Sequence, residues 1–146
     1  MYEQRYFASN EKDEAEINRL RSLEEICDTN TIRRLEMMRA SESWDCLEVG
    51  AGAGSVAQWL SARIGPTGKV VATDINIKFL RQISVPNLEV RQHDITKDDL
   101  ETGQYDLVHC RCLLMHGVQT LLSDTNFYML GPTMFAAWGR RPTNPT

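Results

Sequence analysis

The stretch Trp44 to Leu60, WDCLEVGAGAGSVAQWL, constrains the fold more than any other part of the chain. A short apolar run ends in Glu48-Val49, glycine then alternates with alanine through Gly50-Ala51-Gly52-Ala53-Gly54, and an amphipathic segment starts near Ser55. This order predicts a strand, a tight turn and a helix. Alternating glycines let the backbone take positive φ and leave no Cβ between chain and ligand, so an adenosyl or phosphate-bearing group can lie against the turn. The unit therefore predicts a nucleotide-type cofactor site.

Three further apolar runs continue the pattern: Lys69 to Asp74, Leu88 to Arg91 and Tyr105 to Cys110. Between the first two strands, Val56, Leu60 and Ile64 line one helix face, which Gly65-Pro66-Thr67-Gly68 stops with turn chemistry. Ile77 to Ile83 reads as a short helix, and Arg111 to Met115 as the start of another. Short, near-continuous apolar runs alternating with helices predict an α/β, Rossmann-like, mostly parallel sheet of about five strands with helices on both faces.

Ahead of this core, Ala15, Ile17, Leu20, Leu23 and Ile26 recur at helical spacing after a cap at Ser9 or Asn10. Asp28-Thr29-Asn30 is expected to interrupt that helix, and Ile32, Leu35 and Met38 give a second, shorter stripe. The expected division is a helical N-terminal extension over residues 1–43, a cofactor-binding core over 44–116 and a C-terminal segment over 117–146.

A chain of 146 residues suits one globular domain. Its formal net charge of -4 and the lack of a Lys/Arg-dense stripe leave a nucleic-acid partner unsupported. No apolar run approaches the roughly 20 residues of a membrane span, and the N-terminus lacks the features of a signal peptide, so a cytoplasmic protein is expected. Cys27, Cys46, Cys110 and Cys112 follow no disulfide-framework spacing and read as thiols. Cys110-x-Cys112 alone falls short of a metal set, and no metal is expected.

The residues around the turn discriminate between ligands. A dinucleotide fingerprint places a third glycine five positions after the first, where this chain has Ser55. Glu48, two places before Gly50, is a carboxylate at the end of a buried strand and requires donors or a cation. A sulfonium ligand with an α-ammonium group supplies that cation, whereas a pyrophosphate repels it. Asp74 ends the second strand, where an acceptor-only side chain can take both ribose hydroxyls; its plainer alternative is a helix cap. Asp94, after the third strand, is placed to accept from an adenine amino group between apolar walls from Ile75 and Ile95; its plainer alternative is a turn aspartate.

Glu48, the glycine turn, Asp74 and Asp94, in this order on successive strand ends, resemble the class I S-adenosylmethionine-dependent methyltransferases from Trp44 to His116. The resemblance implies S-adenosylmethionine as cofactor. It assigns Glu48, Gly50, Ala51, Gly52 and Gly54 to the methionine end and the turn, Asp74 to the ribose, and Asp94 with Ile95 to the adenine. It also places His109-Cys110-Arg111 beside the transferring methyl group, with Cys110 counted among the cofactor contacts. The implied reaction moves a methyl group to an acceptor, expected to be a small molecule. A general base would assist, and the sequence does not choose between His109 and His116.

The resemblance breaks after His116. The family's sheet has seven strands, the fifth introduced by a Pro-Gly-Gly-like turn that this chain lacks. Of the last thirty residues only Asp124, Arg140 and Arg141 are charged, against 33 charges in the preceding 116. The expectation is a methyltransferase with an internal deletion, whose closing strand, Thr133 to Gly139, pairs beside the fourth. A sheet so shortened exposes apolar surface and favours a homodimer. Two other functions stand beside the leading one: a non-catalytic adenosylmethionine-binding or interaction module, and an NAD-dependent oxidoreductase, against which Glu48 and Ser55 argue.

Overall fold

The apolar runs become the parallel part of a five-stranded sheet. The computed structural model describes residues 10–101, 103–112 and 136–140. In them the chain forms α1 (Asn10–Met37), β1 (Asp45–Val49), α2 (Ser55–Ile64), β2 (Lys69–Asp74), a 3₁₀ turn (Leu80–Gln82), β3 (Leu88–Gln92), β4 (Leu107–Arg111) and β5 (Ala136–Arg140). The strand order is β3-β2-β1-β4-β5. β1 pairs in parallel with β2 and β4, and β2 with β3. The chain first steps outward through β2 and β3, then returns to the other side of β1. This reversal creates a crevice at the carboxyl ends of the strands, where ligands of open α/β sheets bind.

Strand alternation divides the side chains between two faces. Cys46, Val70, Ala72 and Leu107 meet Leu35 of α1 and Val56, Ala57, Leu60 and Ile64 of α2 in the main core. α2 buries Val56, Leu60 and Ile64 almost completely. Each such side chain contributes about 1.5–3 kcal/mol. On the opposite face Leu47, Val49 and Val71 are covered by Leu100, Tyr105, Val108 and Cys110. α2 ends at Gly65, whose φ of 72° is left-handed, and Asn87 Nδ2 donates to the carbonyls of Ser61 and Gly65 at 2.9 and 2.8 Å. The helix end is thereby satisfied and fastened to the start of β3.

β5 lies antiparallel beside β4, with His109 opposite Trp138 and Cys110 opposite Ala137. The closing strand therefore takes the expected position next to the fourth, within the described part of Thr133 to Gly139.

Four expectations change. The predicted break at Asp28-Thr29-Asn30 does not occur, and α1 is one 28-residue helix. These residues are only weakly unfavourable in a helix, with neither glycine nor proline among them, and tertiary contacts of Asp28 and Thr31 override the local preference. The buried stripe of α1 also shifts: Ile26 is 69% exposed, while Cys27, Thr31 and Leu35 are buried. The short helix over Ile77 to Ile83 shrinks to the 3₁₀ turn. Arg111, expected to open a helix, belongs to β4, and the rest of that predicted segment lies outside the described residues. Among the described residues no helix is long and apolar enough to cross a membrane.

Candidate functional site

The glycine turn sits at the carboxyl end of β1 and is tied to β2 by backbone bonds. The N–H groups of Gly50 and Ala51 both donate to the Thr73 carbonyl, at 2.8 and 2.9 Å. At Gly54 φ is 93°, and an added Cβ would stand 2.4 Å from Ile83 Cδ1 and 2.9 Å from Leu80 Cδ2. Only glycine satisfies both the left-handed backbone and the close approach of that loop.

Asp74 Oδ2 accepts the Gly52 N–H at 2.8 Å, and Oδ1 accepts the Asn76 N–H at 3.0 Å. The carboxylate thus holds the turn and caps the following segment at once. An ionised carboxylate has about four acceptor sites. Two are used by the backbone, so Asp74 keeps acceptor capacity at the strand end, half-buried against the turn.

Glu48 lies beneath the turn and is 2% exposed. Its Oε2 shares a 2.5 Å hydrogen bond with Nδ1 of His109, the residue directly opposite it on β4, which is 1% exposed. Burial pushes the Glu48 carboxyl up from its ordinary range, against the pull of His109 and of Arg111. The hydrogen-bond partner that Glu48 requires is therefore supplied from within the chain, and His109 is enclosed with it. His116, the other predicted base, lies outside the described residues.

The chain after β3 gives Asp94 a structural duty. Its Oδ1 accepts from the N–H and the hydroxyl of Thr96 at 3.0 and 2.6 Å, and Oδ2 meets Lys97 Nζ at 2.9 Å. The Thr96 bonds, with Lys97 beside them, hold its carboxyl at about 2. This is the turn-aspartate geometry. Ile75 and Ile95, which follow adjacent strand ends, are 38% and 45% exposed, unusual for isoleucines beside a crevice. Cys110 packs on the face away from Glu48 and His109, with Leu47 and Val49.

Sequence reasoning missed the contribution of α1. Leu20 Cδ2 would stand only 3.1 Å from a Cβ on Gly52. Glu24 Oε1 accepts the Ser55 N–H at 3.1 Å, and Asp28 Oδ1 accepts the Ser55 hydroxyl at 3.1 Å. Two carboxylates thus serve the positive end of α2, which has no cap of its own. Arg111 Nη2 pairs with Asp28 Oδ1 at 2.5 Å, and Nη1 donates to Thr31 Oγ1 at 3.1 Å. Nearer the N-terminus of α1, Asp13 pairs with Lys78. The signal was present as a helix face through Leu20, Glu24, Asp28 and Thr31, but its partners lie far along the chain. Among the described residues no group of three or more His, Cys, Asp or Glu side chains is placed to hold a metal ion.

A parallel sheet that reverses at β1, with a glycine turn and an acidic residue at the end of β2, defines a Rossmann-like domain for a nucleotide-type cofactor. The protein-family model described as a methyltransferase domain matches residues 46–125, more than half of the chain. The fold is similar to that of a SAM-dependent methyltransferase from Aquifex aeolicus, with 20% sequence identity, a TM-score of 0.53, and coverage of 66% of this chain and 71% of that one. A protein from Galdieria sulphuraria, provisionally assigned as a sarcosine dimethylglycine methyltransferase, matches with 14% identity and a TM-score of 0.48, over 70% of this chain and 55% of its own. No curated protein sequence matches. The chain belongs to the methyltransferase domain family, the class I fold whose cofactor is S-adenosylmethionine.

Proposed function

We propose that this chain binds S-adenosylmethionine on the turn from Gly50 to Gly54 and transfers its methyl group to a small-molecule acceptor. The observation that carries the reading is Asp74, whose carboxylate is fixed on Gly52 at the end of β2 with acceptor capacity remaining. Its residual acceptor sites suit the two ribose hydroxyls. Ile75 and Ile95 supply apolar surface for the adenine ring. The cofactor supplies a methyl carbon already activated by its positive sulfur. The chain contributes alignment and exclusion of water, which is most of what an in-line displacement requires. Glu48 and His109 act from below as a buried pair that stiffens β1 against β4 under the turn.

A second reading, a binding module without turnover, is favoured by the enclosure of His109. With Nδ1 committed to Glu48, the ring is not presented to an acceptor on the described surface.

Calorimetry with S-adenosylmethionine, S-adenosylhomocysteine and NAD tests the cofactor. Heat from both adenosyl ligands and none from NAD is expected; a folded sample silent to both would remove both readings. A methyl-release assay across hydroxyl, amine and thiol acceptors then separates them. Turnover with any acceptor selects the enzyme, and binding without turnover selects the module. The same samples give the location of the acceptor site through competition between acceptor and S-adenosylhomocysteine.

A further inference from the structure

The glycine turn is covered by the chain's own first helix. α1 crosses the carboxyl ends of three adjacent strands: Arg111 of β4 meets Asp28 and Thr31, Gly52 after β1 meets Leu20, and Lys78 beyond β2 pairs with Asp13. Leu20 Cδ2 stands 3.1 Å from the place a Cβ on Gly52 would take. A ligand carbon between the two residues would need about 3.5–4.0 Å from each, so none fits while Leu20 stays.

The polar groups of the turn are engaged as well. The N–H groups of Gly50 and Ala51 donate to the Thr73 carbonyl, that of Gly52 to Asp74 and that of Gly54 to the Ala51 carbonyl. The Ser55 N–H, at the positive start of α2, donates to the Glu24 carboxylate at 3.1 Å. Of these acceptors only Glu24 comes from outside the turn and β2, and it stands where an anionic group of a ligand would be received. The two halves of α1 are held unequally. Cys27, Thr31 and Leu35 are buried, whereas no side chain among residues 13–26 is. Leu20, Glu24 and the exposed Asp13–Lys78 pair fasten that first half, and segments so lightly buried open at low cost.

We propose that residues 13–26 of α1 are an autoinhibitory cover on the glycine turn, which the adenosyl ligand displaces when it binds. The inference rests on the cofactor reading above and makes binding an exchange. The amino-acid end of the ligand replaces Leu20 on Gly52, and its carboxylate replaces that of Glu24 on the Ser55 N–H, so no donor of the turn is left without an acceptor. The helix from Cys27 onward stays docked through its buried side chains and the Asp28–Arg111 pair. Apparent affinity is the intrinsic affinity reduced by the fraction of open chains, so whatever loosens the cover tightens binding.

The test uses the full chain with S-adenosylhomocysteine as the probe, read by calorimetry and amide exchange. The probe should speed exchange of residues 13–26 about tenfold and leave residues 27–37 unchanged. Leu20→Ala and Lys78→Glu loosen the cover at separate points, and each should bind the probe about tenfold more tightly than the natural chain. Adding Asp13→Lys to Lys78→Glu restores the pair with its charges reversed and should return affinity to the natural value. Because Lys78 is exposed, its variants keep the test decisive should Leu20→Ala fail to fold. Equal or weaker binding by the loosened variants would overturn the proposal, as would residues 13–26 exchanging no faster with the probe bound. Silence of the natural chain and of every variant would instead remove the cofactor reading, and the proposal with it.

Discussion

Asp74 joins two duties that are usually separable, since the same carboxylate fixes the turn and, in the proposed function, accepts from the ribose. Replacing it with alanine removes the acceptor for the Gly52 and Asn76 N–H groups together with the proposed ribose acceptor. Adenosyl-ligand binding should weaken by about 2 kcal/mol, and unfolding by urea should show a stability loss of about 1–3 kcal/mol. Lost stability with unchanged affinity would assign Asp74 to the turn alone. Glu48 offers a pH test. Its carboxyl is raised above the ordinary 4.5 by burial, so the folded state holds a proton that the unfolded chain releases. Its stability contribution is complete below 4.5 and is lost as pH rises through the folded value. Glu48→Gln, which cannot ionise, should therefore gain on the natural chain as pH rises from 4.5 to neutrality, read from paired urea midpoints. A constant difference would mean that Glu48 ionises as readily folded as unfolded. The sequence exposed the need of Glu48 for donors or a cation, because a strand-end carboxylate is costly alone. It did not expose His109 as the internal hydrogen-bond partner, since that requires the β1–β4 register.

Between elements, Arg111 carries the junction of α1, α2 and β4. Its guanidinium meets Asp28, Thr31 and Ser55, and its side chain is 12% exposed against 24% for Asp28. Removing one partner of a largely buried pair leaves the other without its counter-charge. Arg111→Met should cost about 2–3 kcal/mol in urea unfolding, below the range of fully enclosed pairs because Asp28 keeps some water. Adding Asp28→Asn should restore part of that loss, the non-additivity expected of residues in contact. A double variant that loses the full sum would deny the coupling. The same junction explains which elements were legible. β1, the turn, α2 and β2 are specified by neighbours within a few residues, through apolar alternation and glycine spacing, and β2 was read to the residue. The continuity of α1 was not, because Asp28 is helix-neutral locally and gains its place from Arg111, on the far side of the sheet's construction. Asp94 illustrates the opposite case: Thr96 and Lys97, its immediate successors, carry the turn geometry that local reading could weigh but not rank against the adenine role.

Across the whole molecule, the sheet has β3 at one edge and β5 at the other among the described residues. The β3 edge carries Glu89 and Arg91, paired with each other and with Lys69 and Glu101, and such charges discourage association with another strand. β5 guards the other side. Without it β4 becomes the edge, and Leu107, Val108 and Cys110 leave that strand apolar on both faces, an inviting surface for a second chain. The antiparallel pairing is also what closes the sheet beside the Glu48–His109 pair, since His109 lies opposite Trp138. Two measurements follow. In the intact chain, those amides of residues 136–140 that donate to β4 should exchange as slowly as the β4 amides, because both belong to one ladder. In a chain ending before Ala136, light scattering should show self-association at concentrations where the intact protein stays smaller, with a lower unfolding midpoint. Equal masses and equal midpoints would show that β5 neither guards the edge nor supports the pair behind it. The cradle at Gly50 to Gly54 would then rest on β1, β2, α1 and α2, and adenosyl binding should survive the truncation.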